Sequence, residues 1–290
     1  MKGHDVVLYD LNEKILHSAV REIERMLDFL IENRVVKTNR KGDVMSRISK
    51  TIHLADISDA EYVQESVVER LSVKIEVFKS VEKMVGHDVI MASSTSGLLM
   101  SDIQKNLNRP ERTIVVHPFN PPHLMPLVEI VPGKRTSEST VNTVRKFMAG
   151  LGKEPILVKR EIKGFAANRI QIVMLREILS LLDAGVIDAQ DLEKMFSAGL
   201  GPRLAIMGPL AIYTLAGGVG GLETFLGHFK YLFQDVLNDV TTWTSMPESA
   251  RAKAIRQAKE LSTLKGKSYG RLVQWRDKRL IMILKYLGYI

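Results

Sequence analysis

Val6-Val-Leu-Tyr-Asp10, followed by Leu11-Asn-Glu13, is the stretch that decides the architecture of this chain. A short apolar run ending in an acid reads as a buried parallel strand that stops at a polar edge, with a helix next. Leu16, Val20, Ile23, Leu27 and Leu30 mark that helix over 13–34, at alternating steps of four and three. A polar stretch with Asn33, Asn39 and Gly42 follows, then a second short helix near 44–49. Strands are expected at 51–54, 62–65, 89–92, 113–116, 127–131 and 155–158, separated by helices at 69–84, near 100–106 and at 137–151. Strands alternating with helices imply a parallel sheet covered by helices on its faces.

Beyond Gly164 the strand signal disappears. Residues 165–184 form an almost unbroken helical pattern, charged only at Arg169, Arg176, Glu177 and Asp183. The remainder is helical sequence punctuated by Gly199, Gly201-Pro202, Gly208-Pro209, the 217–221 glycine cluster and Gly266. The expectation is an α/β domain over 1–161 and an all-helical domain over 162–290, which suits a chain of 290 residues.

Composition narrows the function classes. The chain has no cysteine, which excludes disulfides, zinc fingers, iron–sulfur clusters and a cysteine nucleophile. Its longest apolar runs, such as Leu280-Ile-Met-Ile-Leu284, are too short to cross a bilayer, and the start of the chain runs straight into a strand. No membrane partner is expected, and the expected location is cytoplasmic. The net charge of +8 resides after residue 240, where 11 lysines and arginines face three acids; residues 1–240 are balanced. There the bases alternate with Leu272, Trp275, Leu280, Ile283, Leu284 and Leu287 at helical spacing, which reads as a solvated helix face. With no nucleic-acid motif beside it, no nucleic-acid partner is expected, although a basic surface attracts phosphorylated or carboxylated small molecules.

Candidate chemistry collects at strand ends. Asp10 closes the first strand, where an acid binds ribose hydroxyls or simply caps a turn. His117 enters a proline-locked turn, and Glu129 lies inside the apolar strand Leu127-Val-Glu-Ile-Val131. A carboxylate so placed needs a partner, and one beside a histidine gives the imidazole an oriented tautomer for acid–base work. Ser93-Ser-Thr-Ser96 sits on the crevice side of a parallel strand, without the Gly-x-Ser-x-Gly elbow of a nucleophilic serine. Asn168 interrupts an apolar helical face just past the domain boundary, a position that suits a cleft.

Taken in order, Asp10, Glu65-Ser-Val-Val-Glu69 with Lys74, Ala92-Ser-Ser-Thr-Ser-Gly97, His117-Pro-Phe-Asn-Pro121, Leu127-Val-Glu-Ile-Val131 and Gly164-Phe-Ala-Ala-Asn-Arg169 resemble the NAD-dependent L-3-hydroxyacyl-CoA dehydrogenase superfamily over essentially the whole chain. Gly199-Leu-Gly-Pro-Arg-Leu204, Met207-Gly-Pro209 and Gln274-Trp-Arg-Asp277 look more like its λ-crystallin and L-gulonate 3-dehydrogenase branch, with carnitine dehydrogenase further off. The resemblance implies a Rossmann-type doubly wound sheet and a helical domain that carries a homodimer interface. It implies that His117 takes the substrate hydroxyl proton as hydride passes to NAD, that Glu129 orients it, and that Ser96 and Asn168 hold the substrate oxygen. By the same resemblance, Asp10, Glu69, Lys74, Ser96 and Asn120 lie near NAD. Arg203 is a candidate partner for a substrate carboxylate, with a buried structural arginine as the alternative.

The expected substrate is a small L-3-hydroxy acid such as L-gulonate, because the 13–34 helix carries mixed charge that poorly matches a multiply phosphorylated CoA. An acyl-CoA such as 3-hydroxybutyryl-CoA is the alternative. Relatives in this superfamily begin with a strand, a Gly-x-Gly-x-x-Gly turn and a helix that this sequence lacks, and in the 3-2-1-4-5-6 strand order that strand is central. The expectation is therefore either a piece of a longer product or a non-catalytic, crystallin-like chain with weak NAD binding, in which 6–9 and the later strands lack a shared neighbour.

Overall fold

The computed structural model describes residues 2–290. They divide into two compact units, the first running to Arg169 and the second covering Ile170–Tyr289.

In the first unit, β1 (Val6–Tyr9) pairs in parallel with β2 (Ile48–Thr51), and α1 (Glu13–Glu32) and α2 (Lys41–Ser46) lie between them in sequence. Asn12 caps α1 by accepting the Lys14 amide, and the helix buries Leu16, Leu27 and Leu30 on one face. The second sheet runs β3 (Tyr62–Glu65), β4 (Ile90–Ser93), β5 (Thr113–Pro118), β6 (Leu127–Pro132), β7 (Glu154–Leu157), in spatial as in chain order. Its crossovers are α3 (Leu71–Met84), α4 (Met100–Ile103) and α5 (Glu138–Gly150). No ladder joins the two sheets: β1 pairs only with β2 and β3 only with β4, and Val6 and Val7 remain exposed.

The period-two alternation of the strands sorts the core into two layers. Ile90, Ala92, Ile114, Val116, Val128 and Ile130 face α5, where Val141, Val144 and Met148 meet them. Met91, Val115 and Val131 point the other way, into a core with Phe78, Val81, Met100, Ile103 and Phe165. His117 and Glu129 share parity with Val115 and Val131, so the sheet delivers both to that second face.

Five local expectations are corrected. The sheet is not wholly parallel: β6 runs antiparallel to β5, because the connection at 119–126 is too short for the helical crossover that a parallel pair needs. The strand expected at 51–54 lies at β2, and the helix expected near 44–49 ends at Ser46. Ile48-Ser-Lys-Thr51 is a partly exposed edge with little apolar signal, and Leu54–Ile57 is a 3-10 turn instead. The helix expected from 69 starts at Leu71, since Glu69 is occupied by the β4–α4 turn. The helix expected from 165 starts at Ala167, because Gly164 and Phe165 adopt positive φ (75° and 51°).

The second unit is helical throughout: most of α6 (Ala167–Ala184), then α7 (Ala189–Met195), α8 (Gly201–Ile206), α9 (Pro209–Ala216), α10 (Gly221–His228), α11 (Lys230–Asp239), α12 (Glu248–Glu260) and α13 (Tyr269–Tyr286). Leu182, Ala189, Leu192 and Leu261 form a compact core there. The 217–221 glycine cluster is a 3-10 turn between α9 and α10, so it is no phosphate-binding strand–turn–helix. Among the described residues no single helix is long and apolar enough to cross a membrane.

Layer membership sets the cost of truncation. Ile130→Ala, at a fully buried site, is expected to cost about 2–5 kcal/mol, whereas Ile156→Ala on exposed edge strand β7 should cost under about 1 kcal/mol. Urea unfolding followed by circular dichroism on the two variants measures the difference.

Candidate active site

The antiparallel ladder places His117 directly across from Glu129. Their side chains lie on one face, and His117 Nδ1 is 2.9 Å from Glu129 Oε2, with the histidine 7% and the glutamate 0% exposed. The other carboxylate oxygen, Oε1, accepts the backbone N–H groups of Ala166 (3.1 Å) and Ala167 (3.0 Å), where α6 begins. A carboxylate at a helix N-terminus satisfies donors that have no intrahelical partner and complements the positive end of the helix dipole. Burial pushes the Glu129 carboxyl upward, but the His117 hydrogen bond and these two amides outweigh it and hold the group below its ordinary value.

An ionised Glu129 accepts from Nδ1–H, which assigns the neutral His117 tautomer and leaves the lone pair on Nε2. Nε2 has no hydrogen-bond partner among the described residues, and the ring meets Phe119 and Phe165 at centroid distances of 5.4 and 5.7 Å. That is the arrangement of a general base whose orienting acid is fixed from behind.

Ser96 and Asn168 join the same constellation. Asn168, in the first turn of α6, donates from Nδ2 to the Ser96 carbonyl at 2.7 Å. Beside this contact the Gly97 carbonyl accepts the Gly164 amide at 3.4 Å, which holds the serine turn against the segment leading into α6. The Ser96 hydroxyl, Asn168 Oδ1 and the second N–H of Asn168 Nδ2 keep no partner among the described residues, so they are available to a polar ligand atom.

Glu69 holds the serine turn from the other side, accepting the Ser96 amide at 3.0 Å and the Thr95 hydroxyl. Burial pushes its carboxyl up, while Thr95, the Lys74 charge and the Ser96 amide bring it below the ordinary value. Lys74 is 1% exposed, and all three of its N–H donors have acceptors within the protein.

The remaining expected residues stand outside this network. Asp10 ends β1, where its Oδ1 accepts the Asn12 amide at 2.8 Å; the acid serves a local turn and retains a second oxygen for a ribose hydroxyl. Asn120 is exposed, before a cis peptide bond to Pro121, on a loop braced by Lys153, whose Nζ reaches the carbonyls of Pro122 (2.5 Å) and Met125 (2.9 Å). Arg203 is exposed on α8 and makes no ion pair among the described residues, which removes the buried structural alternative. Sequence reasoning assigned no role to Ser93, Thr95 or Phe165. Ser93 and Thr95 carry the common signature of turn chemistry, and Phe165 looks like any core aromatic. Glu65 was noticed only as part of a motif.

Two family models divide the chain along these lines. Residues 1–162 match the NAD-binding domain of 3-hydroxyacyl-CoA dehydrogenase and residues 164–270 its C-terminal domain. The chain therefore belongs to the 3-hydroxyacyl-CoA dehydrogenase family and is an NAD-dependent oxidoreductase. It is similar to 5-formyl-3-hydroxy-2-methylpyridine 4-carboxylate 5-dehydrogenase of Mesorhizobium japonicum, with 32% identity over 287 residues, covering 98% of this chain and 91% of the relative. L-carnitine dehydrogenase of Oceanobacillus iheyensis is 39% identical over 227 residues, covering 78% of this chain and 73% of the relative. A solved structure of a 5-formyl-3-hydroxy-2-methylpyridine 4-carboxylic acid 5-dehydrogenase superposes with a TM-score of 0.80 at 26% identity, covering 98% of this chain and 90% of the other.

The residues present fit NAD at its two ends. Asp10 offers a spare carboxylate oxygen at the carboxyl end of a parallel strand, and the unpartnered Ser96 hydroxyl and His117 Nε2 suit the reacting end. The sequence contains no Gly-x-Gly-x-x-Gly turn, so no residue here is assigned to the pyrophosphate. Among the described residues no cluster of acids and histidines could hold a metal ion.

The depressed Glu129 pKa carries a stability consequence. The unfolded carboxyl titrates near pH ~4.3, so its contribution is fully present above that value and is lost as pH falls through the lower folded value. Glu129→Gln is expected to lose about 1–3 kcal/mol at neutral pH and to show a shallower further loss between about pH 5 and 3 than the parent. Urea midpoints collected across that range test both.

Proposed function

We propose that this enzyme oxidises the hydroxyl of a small L-3-hydroxy acid of the L-gulonate kind to its 3-keto product, with NAD as hydride acceptor. The observation that carries the reading is the 2.9 Å His117–Glu129 pair with Nε2 left open. His117 Nε2 accepts the hydroxyl proton, and Glu129 stabilises the imidazolium that forms. The Ser96 hydroxyl and the second N–H of Asn168 Nδ2 donate to the substrate oxygen as it acquires carbonyl character. Asp10, Glu69, Lys74 and Asn120 serve the cofactor side, Lys74 through its hold on Glu69.

Two features favour a small acid over a CoA thioester. Exposed Arg203 makes no ion pair among the described residues, so a substrate carboxylate is a suitable partner. Along α1, Glu22, Glu24 and Asp28 already occupy nearby bases: Arg25 pairs with Glu22, and Lys41 with Glu24 and Asp28. L-Carnitine, named in several relatives, is also a small 3-hydroxy acid and is the second substrate to test. NADH formation should be seen with L-gulonate or L-carnitine at far higher kcat/KM than with 3-hydroxybutyryl-CoA; the reverse order assigns the CoA thioester. His117→Gln should lower kcat by about 10²–10⁴-fold in the same assay.

The second unit supports a homodimer. Helices α9, α10 and α11 bury none of their residues, although Leu210, Leu215, Leu226, Leu232, Val236 and Leu237 lie on them. Apolar area on that scale marks an association surface, and a symmetric second copy is the commonest partner. Sedimentation should give a species near ~65 kDa, twice the 32.6 kDa chain, and Leu226→Asp with Val236→Asp should shift it towards monomer.

A further inference from the structure

Lys74 and Glu65 are the most thoroughly buried ion pair among the described residues, and the proposed chemistry assigns Glu65 no part. Lys74 Nζ donates to Glu65 Oε1 at 2.8 Å and to the Val67 carbonyl at 3.2 Å, and lies 3.3 Å from Glu69 Oε2. An ammonium has three donors, and these three acceptors use them all. The side chains of Lys74 and Glu65 are 1% and 3% exposed, whereas that of Glu69 is 48% exposed.

Two chains of hydrogen bonds lead from this pair to one turn. Glu65 Oε2 accepts the Ser93 hydroxyl at 2.6 Å, and Ser93 Oγ accepts the Thr95 amide at 3.2 Å. Glu69 accepts the Thr95 hydroxyl and the Ser96 amide. Thr95 Oγ1 then accepts the amides of Gly97 and Leu98 at 3.3 and 3.0 Å. The result is a closed ring, Lys74–Glu65–Ser93–Thr95–Glu69, that ties the ends of β3 and β4 and the first turn of α3 to the backbone presenting Ser96.

We propose that Glu65, acting with Lys74, is a positioning residue that holds the Ser96 turn in its reactive geometry, and that Lys74 contributes through this ring rather than by touching the cofactor. The electrostatics explain why a charge pair is used. Lys74 divides its attraction between a buried and a half-exposed carboxylate. With Glu65 neutralised, the ammonium keeps one carboxylate partner and draws Glu69 towards itself, away from the Ser96 amide. The serine then loses its backbone anchor while every group that touches substrate is retained. The kinetic half of the test rests on the reading of Ser96 given above; the structural half does not.

The experiment compares Glu65→Gln, the double variant Glu65→Gln/Lys74→Met, and Glu82→Gln. Glu82 is a reference on α3, the helix that carries Lys74: like Glu65 it is buried, and it accepts the amides of Asn108 (3.0 Å) and Arg109 (2.7 Å), which take no part in the ring. Glu65→Gln should lower kcat by about 10- to 100-fold with substrate KM changed less than about threefold, the signature of a misplaced group that acts in the transition state. The double variant removes both buried charges and should regain thermal stability relative to Glu65→Gln without regaining kcat. Glu82→Gln should lower the melting temperature and leave kcat within about twofold of the parent.

Amide hydrogen exchange at Ser96 is the second readout. It should quicken by about tenfold in Glu65→Gln and stay unchanged in Glu82→Gln. The inference is overturned if kcat follows melting temperature across the three variants, or if Ser96 exchange in Glu65→Gln matches the parent. Should the parent show no NAD-linked turnover, the functional reading fails by itself, and the exchange measurement alone decides the role of the ring.

Discussion

The Glu129 carboxylate is the interaction on which this structure turns. One oxygen meets His117 across the antiparallel ladder and the other receives two backbone N–H groups at the start of α6. A fully buried carboxylate is tolerated only when its charge is matched, and here the match is a partner on each side. The same atoms therefore fix the tautomer of the histidine, the point at which the helix begins and the position of Asn168 one residue later. Reversal of strand direction at β6 makes this possible, because a parallel pair could not be joined by so short a connection.

A second charged centre performs the equivalent service for Ser96. Lys74, Glu65 and Glu69 anchor the β4–α4 turn from beneath, while Asn168 reaches the Ser96 carbonyl from the opposite side. The serine turn is thus held between two networks, each built around a buried carboxylate whose hydrogen bonds are complete. Groups left without partners among the described residues, namely His117 Nε2, the Ser96 hydroxyl, Asn168 Oδ1 and the second N–H of Asn168 Nδ2, belong to one connected set. Rigid support behind open polar atoms is the arrangement expected where a reacting atom must be placed to a fraction of an ångström.

Much of this was legible in the chain. Period-two runs located β3, β4, β5 and β6 within a residue or two, and 3.6-residue spacing located α1, α3 and α5, because strongly apolar faces leave an unambiguous signature. Errors fell where that signature is weak. Ile48-Ser-Lys-Thr51 pairs through its backbone with little apolar help, so the strand was displaced onto a 3-10 turn. The loss of strand signal after Gly164 marked the change to helices, whereas the compact units meet a turn into α6, at Arg169. At the site, His117, Glu129, Ser96 and Asn168 were picked out as residues, but Ser93, Thr95 and Phe165 were not. Their importance lies in whom they touch, which residue type does not encode.

Sequence by itself determined the α/β-then-helical organisation, the two faces of the sheet, and the presence of an acid inside an apolar strand that had to find a partner. Those are properties of local periodicity and of the cost of burying charge, and both can be read along the chain. The tertiary structure alone decided that Glu129 also receives the amides at the start of α6, that β6 reverses against β5, that Lys74 is enclosed by Glu65, Val67 and Glu69, and that Arg203 stands exposed. Each of these depends on strand direction, register or solvent access. Such quantities arise only when segments far apart in sequence are brought to hydrogen-bond distance.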